Sequence, residues 1–115
     1  MRVIVAGGRE FKDFRLLFSA LNALANEVEI TEIVSGTQEG ADRLGECWAK
    51  LSNIKVEPFE PDWATYGTPA GPIRNKKMAE YGDILVLFWD GVSTGSKSMF
   101  NEMTKLHKPV KLFQY

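Results

Sequence analysis

Four short stretches of the chain carry residue types that hold anions. In Gly7-Gly8-Arg9-Glu10, two glycines permit a tight turn and close approach of a ligand to the backbone, and Arg9 offers a bidentate cation. The same residues would also serve as a plain strand-to-helix turn with a surface arginine. In Ser35-Gly36-Thr37-Gln38-Glu39-Gly40-Ala41-Asp42, Gly36 and Gly40 bracket a turn that delivers the chain to a helix start, where free amides attract negative charge. Asp42 falls in the first helical turn, so it either meets a ligand or complements the helix dipole. In Asp90-Gly91-Val92-Ser93-Thr94-Gly95-Ser96-Lys97-Ser98, small hydroxyls, glycine amides and Lys97 gather at another helix start. That set makes a phosphate cradle, with simple capping as the plainer role of Thr94 and Ser96.

The fourth stretch, Ala70-Gly71-Pro72-Ile73-Arg74-Asn75-Lys76-Lys77-Met78, puts three cations near a helix N-terminus. Cations are unfavourable at that end of the dipole unless an anion is bound there. Lys76 and Lys77 read as a solvated face, whereas Arg74 and Asn75 are expected to contact the ligand, Arg74 at its phosphate. A side chain at Gly8 or Gly36 is expected to obstruct the ligand or strain the turn. Cys47 and His107 have no third group near them in sequence to form a nucleophilic set and are given no role.

These stretches need elements to position them, and the pattern supplies a strand before three of them. Apolar, β-branched runs at Arg2 to Ala6, Ile30 to Ser35, Lys55 to Phe59, Asp83 to Trp89 and Val110 to Phe113 alternate with segments of helical period. Leu17, Leu21 and Leu24 form one core-facing helix stripe, and Ala41, Leu44, Trp48 and Leu51 form a second. Asp13 is placed to cap the first helix and Pro72 to open the third. A fourth helix is expected from about Gly95 to His107, with Met99, Phe100, Met103 and Leu106 inward and Pro109 ending it. The expected fold class is therefore α/β: a Rossmann-like three-layer sandwich with a central, mostly parallel five-stranded sheet. In such sheets ligands bind beyond the carboxyl ends of the strands, where these loops lie. The irregular piece from Glu60 to Gly71, with Trp63 and Tyr66, is long for an idle connection.

With 115 residues and 44% hydrophobic content, the chain is expected to form one domain, residues 1–115, around one core. Fourteen Lys plus Arg against 15 Asp plus Glu leave a net charge of −1, which provides no global field to attract a polyanion. One cysteine excludes a disulfide framework and a cysteine-built metal site, and fits a reducing cytoplasm. No apolar run reaches the length needed to span a bilayer, and the N-terminus enters a strand pattern directly rather than a signal peptide.

Taken together and in this order, the loops resemble the SLOG superfamily, which unites the DNA-processing protein DprA with the Lonely Guy phosphoribohydrolases. The small stand-alone YspA-like branch is the nearest likeness. Val34 to Asp42 is similar to the DprA-type glycine loop, and Pro72 to Met78 to its Arg-Asn segment; Val5-Ala6-Gly7-Gly8-Arg9 and Asp90 to Ser98 are similar as well. The resemblance implies a Rossmann-like fold that binds nucleotides or nucleotide-derived signals, with some branches cleaving an N-glycosidic bond. Arg74 and Met78 are spaced like the Arg and Met of the Lonely Guy helix motif, and Gly95-Ser96 resembles its Gly-Thr. The glutamate that the motif would place three residues after that hydroxyl is replaced by Met99. Glu102, about one helical turn on, is the candidate to take over that role beside Arg74; otherwise it is an exposed helix glutamate.

Two functions from different classes follow. The first is a sensor or weak N-glycoside hydrolase for an ADP-ribose-like or nucleoside monophosphate ligand, held by Gly7, Gly8, Arg9, Ser35, Gly36, Gly40, Asp42, Arg74, Asn75, Gly91, Thr94, Gly95 and Ser96. The second is DprA-like binding of single-stranded DNA, with Trp63, Tyr66 and Trp89 as stacking platforms, which the near-neutral charge disfavours. The expected partners are a nucleotide-derived small molecule and, as an open alternative, further copies of the chain in a homo-oligomer. No metal, cofactor or membrane contact is expected.

Overall fold

A computed structural model describes the whole chain, Met1 to Tyr115. Its elements run β1 (Arg2–Gly7), α1 (Phe14–Glu27), β2 (Glu32–Ser35), α2 (Ala41–Leu51), β3 (Lys55–Pro58), α3 (Trp63–Tyr66), α4 (Ala70–Tyr81), β4 (Ile84–Trp89), α5 (Thr94–Lys105) and β5 (Val110–Gln114). The five strands form one sheet in the order β3-β2-β1-β4-β5, and every neighbouring pair is parallel. The sheet is thus wholly rather than mostly parallel. The arrangement is Rossmann-like.

Both faces of the sheet are covered, which is why the central strands read as unbroken apolar runs rather than as alternations. On β1, Val3 and Val5 point to one face and Ile4 and Ala6 to the other. The first face packs against α1 and α2 through Leu17, Leu21, Leu24, Trp48 and Ala49. The second packs against α4 and α5 through Met78, Ala79, Met99 and Met103. There are accordingly two apolar layers, one on each side of the sheet, where the composition suggested one core.

Helix boundaries follow local chemistry. Asp13 caps α1 by accepting from the Leu16 amide at 3.1 Å, as its position predicts. The third long helix begins at Ala70, so Pro72 occupies its first turn, where its missing N–H leaves nothing unpaired. The irregular piece before it contains a single helical turn, α3, capped by Asp62 accepting from the Thr65 amide at 3.1 Å. Leu51 and Leu106 are exposed, contrary to the expected stripes. Leu51 is the last residue of α2 and Leu106 the C-cap of α5, so both stand at helix ends. Lys108 then closes the far end of α4, its Nζ donating to the carbonyls of Ala79, Glu80 and Gly82 at 2.8, 3.0 and 2.8 Å. No helix is long and apolar enough to cross a membrane.

Candidate functional site

From β1 the chain builds outward through β2 to β3, then returns to the other side of β1 for β4 and β5. The loops after β1 and β4 therefore part at the carboxyl ends of the strands and leave a crevice, the position at which parallel sheets accept ligands. A cleft of about 740 Å3 opens there, well within the roughly 300 to 1,000 Å3 of small-molecule sites. It is lined from four directions: Gly7 at the end of β1 with Gly8 and Arg9 after it, Asp42 on α2, Arg74 and Asn75 on α4, and Thr94, Gly95 and Ser96 on α5. Nine of the ligand-binding candidates thus face one space, although they are spread over some ninety residues of sequence.

Ser35, Gly36, Gly40 and Gly91 do not line the cleft: Ser35 and Gly36 are buried, Gly40 is half-buried and Gly91 is exposed. The buried Ser35 hydroxyl donates to Glu46 Oε2 at 2.6 Å and accepts from the Thr37 amide at 3.0 Å, which fixes the turn after β2. Gly36 is buried, and its carbonyl accepts from Arg74 Nη1 at 2.5 Å. A Cβ at Gly36 would lie 2.7 Å from that Nη1 and 2.8 Å from Asp42 Oδ2, so this arginine and carboxyl already crowd a side chain there. Gly40 has a φ of +87°, and a side chain there would also strike the Gly8 carbonyl. Gly91 lies in a turn that Asp90 Oδ1 closes by accepting from the amides of Val92 and Ser93 at 2.9 and 2.8 Å. Those two donors hold the Asp90 carboxyl below its ordinary range.

Arg74 and Asn75 work as a pair. Both are buried, and Arg74 Nε donates to Asn75 Oδ1 at 2.8 Å. Asn75 Nδ2 in turn reaches the Gly95 carbonyl at 3.4 Å and Ser98 Oγ at 3.3 Å. Two adjacent residues of α4 therefore tie the loop after β2 to the start of α5. Of the five N–H groups of a guanidinium, two of Arg74's have partners within the protein and three do not. Lys76 and Lys77 are exposed, as a solvated face requires. Lys97 is also exposed and does not line the cleft.

Asp42 is the electrostatic oddity of the site. It is only 4% exposed, and burial pushes its carboxyl from 3.8 up to about 7. The Gln38 amide, donating to Oδ2 at 3.4 Å, and the neighbouring Arg74 charge oppose that rise, and the nearby Glu46 adds to it.

At the start of α5 the backbone is open. No side chain caps this helix, and the amides of Thr94, Gly95 and Ser96 meet no acceptor in the protein. Ser96 Oγ is the one buried side-chain polar atom of the molecule without a hydrogen-bond partner. Three unpaired amides and an unpaired hydroxyl, at the positive end of a helix dipole and on the wall of a cleft, are what an anion needs.

The carboxylate candidate lies elsewhere. Glu102 is not among the cleft-lining residues and pairs with Lys105 at 3.2 Å. Met99 does reach the cleft but belongs to the apolar layer with Met78 and Met103. Two aromatic residues border the cleft, Trp63 and Tyr115. Tyr115 was not foreseen from the sequence, although a residue following a parallel strand must emerge at the ligand-binding end of the sheet. It packs edge-on against Phe11 with ring centroids 5.0 Å apart, and a side chain at Gly8 would collide with its hydroxyl.

Fold and cleft together define a Rossmann-like protein with a largely polar cleft at the switch point of its sheet. The family model of YspA, cpYpsA-related SLOG proteins matches residues 1–66, more than half of the chain, and the chain belongs to that family. The Gene 61 protein of Mycobacterium phage D29 is similar, at 31% identity over 119 residues that cover 95% of this chain and 93% of that protein. No solved structure matches.

Proposed function

We propose that the protein binds a nucleotide or nucleotide-derived small molecule in this cleft, with a phosphate on the α5 start and Arg74 behind it. The observation that carries the reading is the buried, unpartnered Ser96 hydroxyl beside three free amides. A buried hydroxyl without a partner costs about 1 to 3 kcal/mol, and a phosphate oxygen would remove that cost. Membership of a SLOG family supports a nucleotide-related ligand. The net charge of −1 favours a small ligand over a DNA strand, whose binding would draw on many phosphate contacts. Binding without rapid turnover is the favoured mode. Met99 presents no carboxylate where glycosidic cleavage would use one, and a missing general acid or base slows chemistry by about 10² to 10⁴-fold.

Titration calorimetry with nucleoside monophosphates and ADP-ribose tests this on the wild type and on Ser96→Ala. Ser96→Ala should lose about 10- to 100-fold in affinity, the worth of a hydrogen bond to a charged group. The ligand-free variant should be as stable as the wild type or more so, since the lost hydroxyl has no partner. Unchanged affinity, or a clear loss of stability without ligand, would reject the assignment.

A further inference from the structure

The three tryptophans of the chain are held very differently. Trp48 is 3% exposed and its indole N–H donates to Asn22 Oδ1 at 2.9 Å. Trp89 donates to the Ser93 carbonyl at 3.0 Å and stacks on Phe100 with ring centroids 6.5 Å apart. Both are explained by packing. Trp63 is not: it is 51% exposed, its indole N–H has no partner, and it contributes to neither apolar layer. It sits on the single turn of α3, which is pinned in place by the Asp62 cap, and it borders the cleft. Gly71, the second residue of α4, lies beneath it with no side chain to lift the ring; a Cβ there would already touch the indole edge at 3.7 Å.

A large, half-exposed aromatic ring loses nothing by gaining a flat partner, because the water on its surface is released. α3 and α4 follow β3, at one edge of the sheet, whereas the open amides of α5 follow β4, on the other side of β1. The cleft therefore joins a polar, anion-accepting wall to an aromatic rim.

We propose that Trp63 is the residue that selects a ligand with an aromatic base, by stacking the base against its indole while the phosphate lies at Ser96. The inference rests on the nucleotide reading above and adds to it the residue that would hold the base, and with it the preference for a planar, π-rich ring joined to the phosphate over a sugar phosphate or inorganic phosphate. Trp63 is a specificity residue, with no part in bond making or breaking.

Calorimetry separates the two halves. The probes are the four 5′-ribonucleoside monophosphates and ribose 5-phosphate, each titrated into wild type, Trp63→Ala and Trp63→Phe. Stacking of one base on an aromatic side chain corresponds to roughly 5- to 100-fold in affinity. In the wild type at least one monophosphate should therefore bind more tightly than ribose 5-phosphate by such a factor, and should quench tryptophan emission. Trp63→Ala should erase that advantage and the quench, Trp63→Phe should restore most of the advantage, and ribose 5-phosphate should bind all three proteins alike. Equal binding of monophosphates and ribose 5-phosphate by the wild type, or undiminished monophosphate binding by Trp63→Ala, would overturn the role of Trp63 and leave the phosphate reading intact. A loss in Trp63→Ala of the same size for both ligand types would also overturn it, because the residue would then be shaping the cleft rather than touching a base. Absence of binding for every probe would overturn both readings together.

Discussion

Asp42→Asn is the substitution on which the electrostatics of the cleft turn. In the wild type the carboxyl titrates near 7 because burial disfavours its charge. In the unfolded chain it titrates near its ordinary 3.8, so between those values the native state holds a proton that the unfolded state has lost. Stability is then complete below about pH 4, falls as the pH rises towards 7, and levels off above it. The whole interval corresponds to about 4 kcal/mol, at about 1.4 kcal/mol per pH unit, and the part between pH 5 and 7 to about 3 kcal/mol. Asparagine keeps the size and the polar oxygen but has no proton to lose. At pH 5 the two proteins should be nearly equal, because Arg74 faces a neutral group in both. At pH 8 the variant should be the more stable, by about 3 kcal/mol. Urea denaturation at pH 5, 6, 7 and 8, followed through the buried Trp48, measures both curves. A wild type that grows more stable from pH 5 to 7, together with a variant that is weaker at pH 8, would refute the reasoning. It would mean that Asp42 is ionised throughout and that Arg74, not burial, governs it.

Gly36→Ala should drive a methyl group between Arg74 and Asp42 and cost about 1 to 3 kcal/mol; an unchanged urea midpoint would show that the arginine moves aside freely. Lys108→Ala removes three hydrogen bonds from the last carbonyls of α4 and should lower stability by about 1.5 to 3 kcal/mol, read as a drop in Tm. Glu102→Gln should leave ligand affinity unchanged, and also any release of free base followed by chromatography, since its carboxylate pairs with Lys105 away from the cleft; a tenfold loss in either would return Glu102 to the site.

What the sequence made legible was local. β1 and β4 announce themselves because a strand buried on both faces must be apolar throughout, and Leu17, Leu21 and Leu24 do so because one helix face must be. The lateral order of strands was not legible, since periodicity along a strand says nothing of its neighbours. α3 escaped notice because four residues are too few to show a helical period. Arg74 stands out in the sequence through a conflict, a cation at the wrong end of a dipole. The sequence could not say that part of its charge is directed inward, to the carbonyl of a residue 38 positions away. Gly36 was legible as a position where a side chain would not fit, but not that this same arginine is among the groups crowding it. Glu102 shows the limit of counting along a helix. Three residues from Met99 is nearly a full turn but not the same direction, and at about 100° per residue Glu102 ends up on the side of α5 that pairs with Lys105 rather than facing the cleft.

The Arg74–Asn75 pair has a thermodynamic consequence. One end of it holds the Gly36 carbonyl and the other the Gly95 carbonyl, so the two banks of the crevice are fastened to each other through a single helix. The distance between those banks is set during folding, before any molecule arrives. Association with such a cleft carries little entropy cost for ordering the protein, which leaves more of the contact energy to appear as affinity. Widening the cleft would require breaking the buried Arg74–Gly36 hydrogen bond or the part-buried Asn75–Gly95 one. The width of the cleft is thereby set by two neighbouring, buried side chains on one helix.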